Sequence, residues 1–403
     1  MSINRNPLSI NTGAPSVKPS LLCNFRNARN LPAGFVFTRA DANGKRINQL
    51  GLVENSGVSV PRFDYNPISL VSKGLLIEPA ATNNLLLSNT FASWTMGSGS
   101  SVSANDTTAP NGLLQMSTVT SNNDVGITKG VTGLTTSAIY TIYGFFAPGS
   151  ATTILLRDVT QSRHIQYTFA TDTVVTSGTL LDSGRIKLQN GVVLLFFTFT
   201  SSGTSVNINP RPSVQSGSTT FKLWECGLVS GSITSLISTS AATVTRLADT
   251  LTLAGTDFSN RYNKNENSLL VTFTANSVVG TITLFCISDT TTSNYIMIQL
   301  VSGVATATIV TSGVSQASLS IGTLSAREEY KIGLSWTANR FAATINGSVI
   351  AEDTSVTLPT VTQLNIGSDN ASANSFNGTI ADFCLFPKAL SDSELINYSA
   401  GLV

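Results

Sequence analysis

Charge is what this chain lacks most. Asp, Glu, Lys and Arg make up 11% of its 403 residues, against about a quarter in an average soluble protein. The 23 basic and 22 acidic side chains leave a net charge of +1, and no basic block occurs. Phosphate binding needs clustered Lys and Arg to release counterions, so a nucleic-acid partner is not expected. Histidine is nearly missing: His164 is the single one, in RDVTQSRHIQYTF, with no second histidine or cysteine nearby. That argues against a transition-metal site. A Ser-His-Asp triad would have to use His164, and no Gly-x-Ser-x-Gly elbow accompanies it; it reads as a partly exposed strand residue. Long apolar runs are missing too. GVVLLFFTF, Gly191 to Phe199, is far short of the roughly 20 residues that span a bilayer, so it reads as a buried strand and no membrane insertion is expected. MSINRNPLSINTGAPSVKPSLLCNF at the start has no apolar signal region, which implies synthesis in a cytosol. The four cysteines, Cys23, Cys226, Cys286 and Cys384, form no CxxC, and the last three sit in apolar runs. They read as buried thiols acting as small hydrophobes, with a Cys286–Cys384 bridge as the alternative.

Ser, Thr, Asn and Gly fill the surface instead, a composition that leans towards an exterior or virion-like protein. The length implies two to four domains. Short runs alternating with period two dominate: in YKIGLSWT, Tyr330, Ile332, Leu334 and Trp336 share a face, and in LLVTFTA, Leu269, Val271 and Phe273 do. ITLFCIS, YIMIQL and FKLWECGL are apolar enough for strands covered on both sides. The fold class expected is all-β: an N-terminal extended arm followed by two β-sandwich (jelly-roll) domains. One short helix is expected near the end, where Ser391 and Glu394 form a capping-box pattern and Gly401 is a stop. Asn346-Gly347 is a hairpin signal, because both positions tolerate positive φ. The divisions are an arm over 1–60, a joint over 61–83, a first sandwich over 84–249 and a second over 250–403. No short internal repeat suggests a solenoid or propeller.

Two signatures flank the first sandwich. The first is Phe37-Thr38-Arg39-Ala40, then Pro61-Arg62-Phe63-Asp64-Tyr65, Lys73-Gly74-Leu75-Leu76-Ile77-Glu78 and Thr82-Asn83-Asn84-Leu85-Leu86. The second is Leu223-Trp224-Glu225-Cys226-Gly227-Leu228, with Thr234-Ser235 and Thr239, then Val244-Thr245-Arg246-Leu247-Ala248-Asp249. In order, spacing and residue type they resemble a joint of tailed-bacteriophage structural proteins, "FTRAS…PRFDY…KGLLIE…TNLL" and "WGAQLE…TSYIPT…VTRAAD". The chain departs at Gly227-Leu228-Val229 and at Leu236-Ile237-Ser238. The resemblance implies a carbohydrate-binding-module-like jelly roll between the signatures. Leu334-Ser335-Trp336, Phe341, Ile345-Asn346-Gly347, Leu364-Asn365-Ile366-Gly367, the run Phe376 to Asp382, and Ala389 to Asp392 make the C-terminal part similar to concanavalin-A-like (laminin-G or pentraxin type) sandwiches.

The joint is read as structural. Gly74 lets the backbone pass close to a neighbouring sheet, Leu75–Ile77 are expected to pair into the first sandwich, and Arg62 and Asp64 to satisfy backbone groups or each other. Glu78, Arg246 and Asp249 complete the set of joint residues. Catalysis is not expected. Glycoside hydrolysis needs two carboxylates flanking the bond; concanavalin-type glucanases carry Glu-x-Asp-x-x-Glu on one strand, and no such run exists here. Glu328-Glu329 reads as a solvated turn, and Asp353, Asp369 and Asp382 are isolated. No cofactor is expected beyond a possible Ca²⁺, which the laminin-G and pentraxin likeness implies for the loops of Asp289 and Asp369. Glycan stacking needs exposed aromatics beside amides: Trp94, ahead of a Gly-Ser loop, and Tyr295 with Asn294, Asn370 and Asn374 are the candidates, while Trp224 and Trp336 fall on apolar faces and belong to cores.

The expected function is that of a phage virion fibre or fibre-like appendage, located in the virion. Residues 1–60 would hold other virion proteins (capsid, portal or tail), and homotrimeric sandwiches would recognise bacterial surface glycan. A head-fibre, decoration or adaptor protein without sugar binding is the alternative. A polysaccharide depolymerase is a further one.

Overall fold

A computed structural model describes residues 17–213, 217–370 and 374–401. The chain is all-β. Among the described residues, four large antiparallel sheets build two sandwiches, with a small two-stranded ribbon beside them.

The sandwiches are not consecutive along the chain. One sheet of the second runs, in spatial order, through Ala351–Asp353, Arg340–Ile345, Glu329–Thr337, Glu266–Ala275, Gly378–Phe386, Ser72–Ile77 and Arg62–Tyr65, and Leu21–Asn24 also pairs with Gly378–Phe386. Its partner sheet runs from Phe35–Thr38 through Thr250–Ala254, Gln363–Ile366 and Thr281–Ser288 to Val314–Thr323. Leu21–Asn24, Phe35–Thr38, Arg62–Tyr65 and Ser72–Ile77 therefore belong to the same sandwich as residues 250–386. Leu21, Phe37, Phe63, Leu75 and Ile77 share one core with Leu269, Phe285, Trp336 and Phe383. The first sandwich is an insertion between Ile77 and Thr250.

This relocates the arm. Its strands Leu21–Asn24 and Phe35–Thr38 are built into the second sandwich, while its ribbon of Lys45–Ile47 and Val53–Asn55 packs on the inserted one; residues 1–16 lie outside the described residues. Leu75–Ile77 likewise pair with Gly378–Ile380 of the second sandwich, not with the first. The cause is local: the Gly378–Phe386 strand has one free edge, and Leu21–Asn24 and Ser72–Ile77 fill it end to end. Gly74 makes the approach possible. Its φ is +101°, and a Cβ there would lie 2.2 Å from the Ile380 carbonyl oxygen.

The inserted sandwich packs a sheet of Asp182–Lys187, Val193–Thr200, Ile139–Pro148, Ser218–Ser230, Leu114–Asn122 and Ser101–Thr108 against the sheet from Thr173–Ser177 to Thr95–Met96. Ser218–Ser230 is buried on both faces, as its composition predicts. Phe221, Leu223 and Leu228 enter the inter-sheet core. Trp224 and Val229 face outwards into a second cluster with Phe145, Phe196, Ile237 and Val53. The ribbon Lys45–Ile47 with Val53–Asn55 lies over that second cluster.

Local signals fold as read. Ile332, Leu334 and Trp336 enter the second core with Leu269, Val271 and Phe273. Asn346 and Gly347 both have positive φ, +48° and +75°. Ser391 caps the helix Asp392–Ser399, Glu394 reaches back to its backbone N–H at 2.9 Å, and Gly401 follows with φ +74°. That helix covers the far face of Glu329–Thr337, with Leu395 against Gly333. All four cysteines are free thiols, so Cys286 and Cys384 are not bridged.

Candidate functional site

The signature residues converge where the inserted sandwich enters and leaves. Ala81–Asn83 leads in and Val244–Arg246 leads out, paired antiparallel through Ala81 and Arg246. Beneath that pair lies an ion network at zero to one per cent side-chain exposure. Arg62 bridges Glu78 and Asp249, Arg246 pairs with Glu78 at 2.8 Å, and Arg39 with Asp249 at 3.1 Å. Asp41, 3.7 Å from Arg39, gives a third acid for three arginines. Ser235 adds its N–H to Glu78 at 2.5 Å and its hydroxyl at 2.7 Å. The backbone N–H of Glu78 donates to Asp249 Oδ2 at 2.9 Å, and Asp249 N–H to the Glu78 carbonyl at 3.0 Å.

Burial alone would raise the Glu78 carboxyl. Arg246, Arg62 and the Ser235 hydrogen bonds reverse that and hold it at about 2. Burial opposes the charge on Arg62, but Glu78 and Asp249 outweigh it and push its pKa up. Arg62, Glu78, Arg246 and Asp249 thus form one network. Asp64 stands beside it, not against Arg62: it accepts from Ile47 N–H at 2.7 Å and pairs with Lys73 at 2.8 Å. Arg39 and Ser235 stood in the signatures without being singled out; a buried partner across some two hundred residues leaves no local trace.

Other contacts hold the sandwiches together. Arg327 makes two hydrogen bonds, 2.8 and 2.9 Å, to the Asp182 carboxylate and lies 5.2 Å over the Phe196 ring. Asn377 donates to the Ile233 carbonyl at 2.8 Å. An apolar hollow of about 130 Å³, lined by Ile47, Val53, Phe145, Leu194 and Leu236, remains along the seam.

The glycan candidates separate. Trp94 is not exposed: its segment forms a 3-10 turn at Phe91–Ser93 that swings the indole inwards. There it packs edge-on to Phe91 at 5.3 Å and donates Nε1–H to the Leu87 carbonyl at 3.1 Å. The other candidates meet at one loop edge of the second sandwich. Asn370 donates to the Thr291 carbonyl and accepts from Ser288, Asn294 donates to Asp289 at 2.9 Å, and Asn374 donates to Asp369 at 2.8 Å. Tyr295 is half-buried beside them, its hydroxyl pKa raised by burial and by Cys286. The Asp289 carboxylate already takes the Thr291 N–H and hydroxyl at 2.9 and 2.6 Å. Among the described residues no three His, Cys, Asp or Glu side chains cluster as metal ligands. His164 is half-buried, its pKa lowered by burial and by Arg157 and Arg211.

A third feature lies on the inserted sandwich. Three hollows of about 250, 390 and 100 Å³ lie in a row: one between residues 89–92 and the edge strand Ser101–Thr108, the largest between the Lys45–Asn55 ribbon and residues 111–115, and the smallest between the ribbon and residues 237–244. Their floor includes Trp224 and Glu225. Glu225 is buried, which raises its pKa, and accepts from Ser88 at 2.7 Å, Ser238 at 2.8 Å and Asn89 at 3.2 Å.

No protein-family model matches this sequence, and no curated protein does. Solved structures with partial likeness include the CBM40 module of the Ruminococcus gnavus IT-sialidase bound to α2,3-sialyllactose. It is 16% identical at a TM-score of 0.29, over 34% of this chain and 84% of the module. The NanB sialidase of Streptococcus pneumoniae is 19% identical at 0.31, over 34% of this chain and 24% of the sialidase, so the match spans about a quarter of that protein. A botulinum neurotoxin type C structure, titled for cell entry through two ganglioside molecules, is 12% identical at 0.31, over 39% of this chain and 40% of the other.

Proposed function

We propose that this chain is a virion structural protein of a tailed phage, a fibre or fibre-like appendage that displays non-catalytic glycan-recognising sandwiches. The observation that carries the proposal is the joint. Residues of two signatures, separated by the whole inserted sandwich, meet in one solvent-free ion network at the point where the chain crosses twice. Such a joint fixes the direction in which the inserted sandwich projects, which a display element requires and a free-standing enzyme domain does not. The carboxylates of the large groove fit a non-catalytic role: Glu225 is tied to Ser88, Asn89 and Ser238, and Glu54 to Arg46 and Asn48.

In the particle the chain is a homotrimer, so that weak sugar contacts multiply by avidity. The intact chain, sized by light scattering, would be tested on a panel of bacterial surface polysaccharides with and without Ca²⁺. Binding without shortening of the polymer is the expected result. Depolymerisation would overturn the non-catalytic reading. A second reading, a structural head-fibre or adaptor protein without sugar binding, is favoured by the burial of all three tryptophans. Absence of binding by the intact oligomer would select it.

A further inference from the structure

The groove on the inserted sandwich is lined by groups that sugars use. Asn55, Asn89, Asn111 and Gln115 stand along its middle stretch, with Asn105 continuing it at one end and Asn43 at the other. Side-chain amides both donate and accept, which suits hydroxyls that do the same. Some of this capacity is unused. Asn111 donates to Gln115 Oε1 at 2.7 Å and Lys45 to Asn55 Oδ1 at 2.8 Å, while the side-chain nitrogens of Gln115 and Asn55 have no partner among the described residues.

The floor gives an independent sign. Trp224 is 3% exposed, yet its indole Nε1–H has no acceptor among the described residues. Buried donors are nearly always paired with protein or water, and this one belongs to a side chain that lines the middle hollow. The charges nearly cancel: Glu54 pairs with Arg46 at 2.5 Å, and Lys45 lies in the field of Glu225. Neither a strongly acidic nor a basic ligand is favoured. The middle hollow, about 390 Å³, falls in the range of roughly 300–1,000 Å³ usual for small-ligand sites.

We propose that this amide-lined groove between the Lys45–Asn55 ribbon and the edge of the inserted sandwich binds a neutral oligosaccharide. The proposal rests on the glycan-recognising reading above and adds the site and the ligand class. It places recognition on the inserted sandwich, away from the Asn294–Asn370 loop edge.

The full chain would be titrated with chitohexaose, cellohexaose and maltoheptaose, and with an α2,8-linked sialic acid oligomer, by calorimetry and by tryptophan fluorescence. Asn55 and Gln115 are exposed, so N55A/Q115A keeps the fold, checked by an unchanged Tm. The expected result is binding of a neutral oligosaccharide, at least tenfold weaker in N55A/Q115A and unaltered in N294A. Trp224→Phe should abolish the fluorescence response, since Trp224 lines the hollow. Neutral binding that N294A removes and N55A/Q115A leaves intact overturns the groove but not glycan recognition. Preference for the sialic acid oligomer overturns the ligand class. Absence of all binding overturns the groove together with the glycan reading.

Discussion

Replacing Glu78 by Gln tests the joint most directly. The substitution keeps the shape and removes one charge from a network in which Glu78 touches Arg62, Arg246 and Ser235. Its carboxyl titrates at about 2 in the fold, against an ordinary 4.5. That gap corresponds to about 3 kcal/mol of stabilisation by the ionised form. Breaking one partner out of a buried pair typically costs about 3–5 kcal/mol, because the remaining charge keeps its desolvation penalty. The two routes agree, so E78Q should lose about 3 kcal/mol at pH 7, or about 6–12 °C in Tm for a sandwich of this size. The sign with pH follows from the depressed pKa. The contribution is fully present above about pH 4.5 and disappears as pH falls towards 2, so the gap between wild type and E78Q should narrow between pH 5 and pH 3. Urea denaturation at pH 7, 5 and 3 measures it. A difference below 1 kcal/mol at pH 7, with no narrowing in acid, would refute the claim that the network holds the joint.

Three further outcomes are expected. Gly74→Ala forces a Cβ into the Ile380 carbonyl at a positive φ and should cost about 3 kcal/mol or more; a Tm within 2 °C of wild type would contradict the close approach. Ser391→Ala removes the helix cap and should cost about 1 kcal/mol, seen as faster amide exchange confined to Asp392–Ser399 and its contacts. The thiols of Cys23 and Cys286 are pushed up to about 12, and Cys384 to about 11, mainly by burial. The folded chain at pH 8 should therefore react slowly with a disulfide reagent, and all four thiols should react in guanidinium; rapid native reaction would disprove the burial.

Period-two alternation made the strands readable, because it needs no knowledge of partners: Leu269, Val271 and Phe273 face the core wherever the strand pairs. The capping box and the Asn-Gly turn were readable for the same reason. The order of the sandwiches was not. Leu21–Asn24 pairs with Asp382–Leu385, and nothing in LLCN points to a partner across the length of the chain. Trp94 failed as an exposed aromatic because a single 3-10 turn decides which way the indole faces. Among the joint residues, Arg62, Glu78, Arg246 and Asp249 were legible only through the signatures that carry them. Arg327 was invisible: its carboxylate partner, Asp182, lies on the other sandwich.

The placement of charge bears on why the joint is ionic at all. A chain with so few charged residues puts three arginines and two carboxylates where side-chain exposure is nearly zero. Stability alone does not demand this, since well-packed apolar residues often serve as well in such positions. An apolar seam, however, accepts several registers, whereas forked guanidiniums accept few. Here Arg62 reads Glu78 before the insertion and Asp249 after it. The network therefore forms only when both crossings of the inserted sandwich are in register. Replacing Arg62, Glu78, Arg246 and Asp249 together by apolar residues separates the two roles. If the network serves geometry, that variant should keep most of its stability while the angle between the sandwiches, read by small-angle scattering, broadens. An unchanged scattering profile would assign the geometry to the Arg327–Asp182 and Asn377–Ile233 contacts instead.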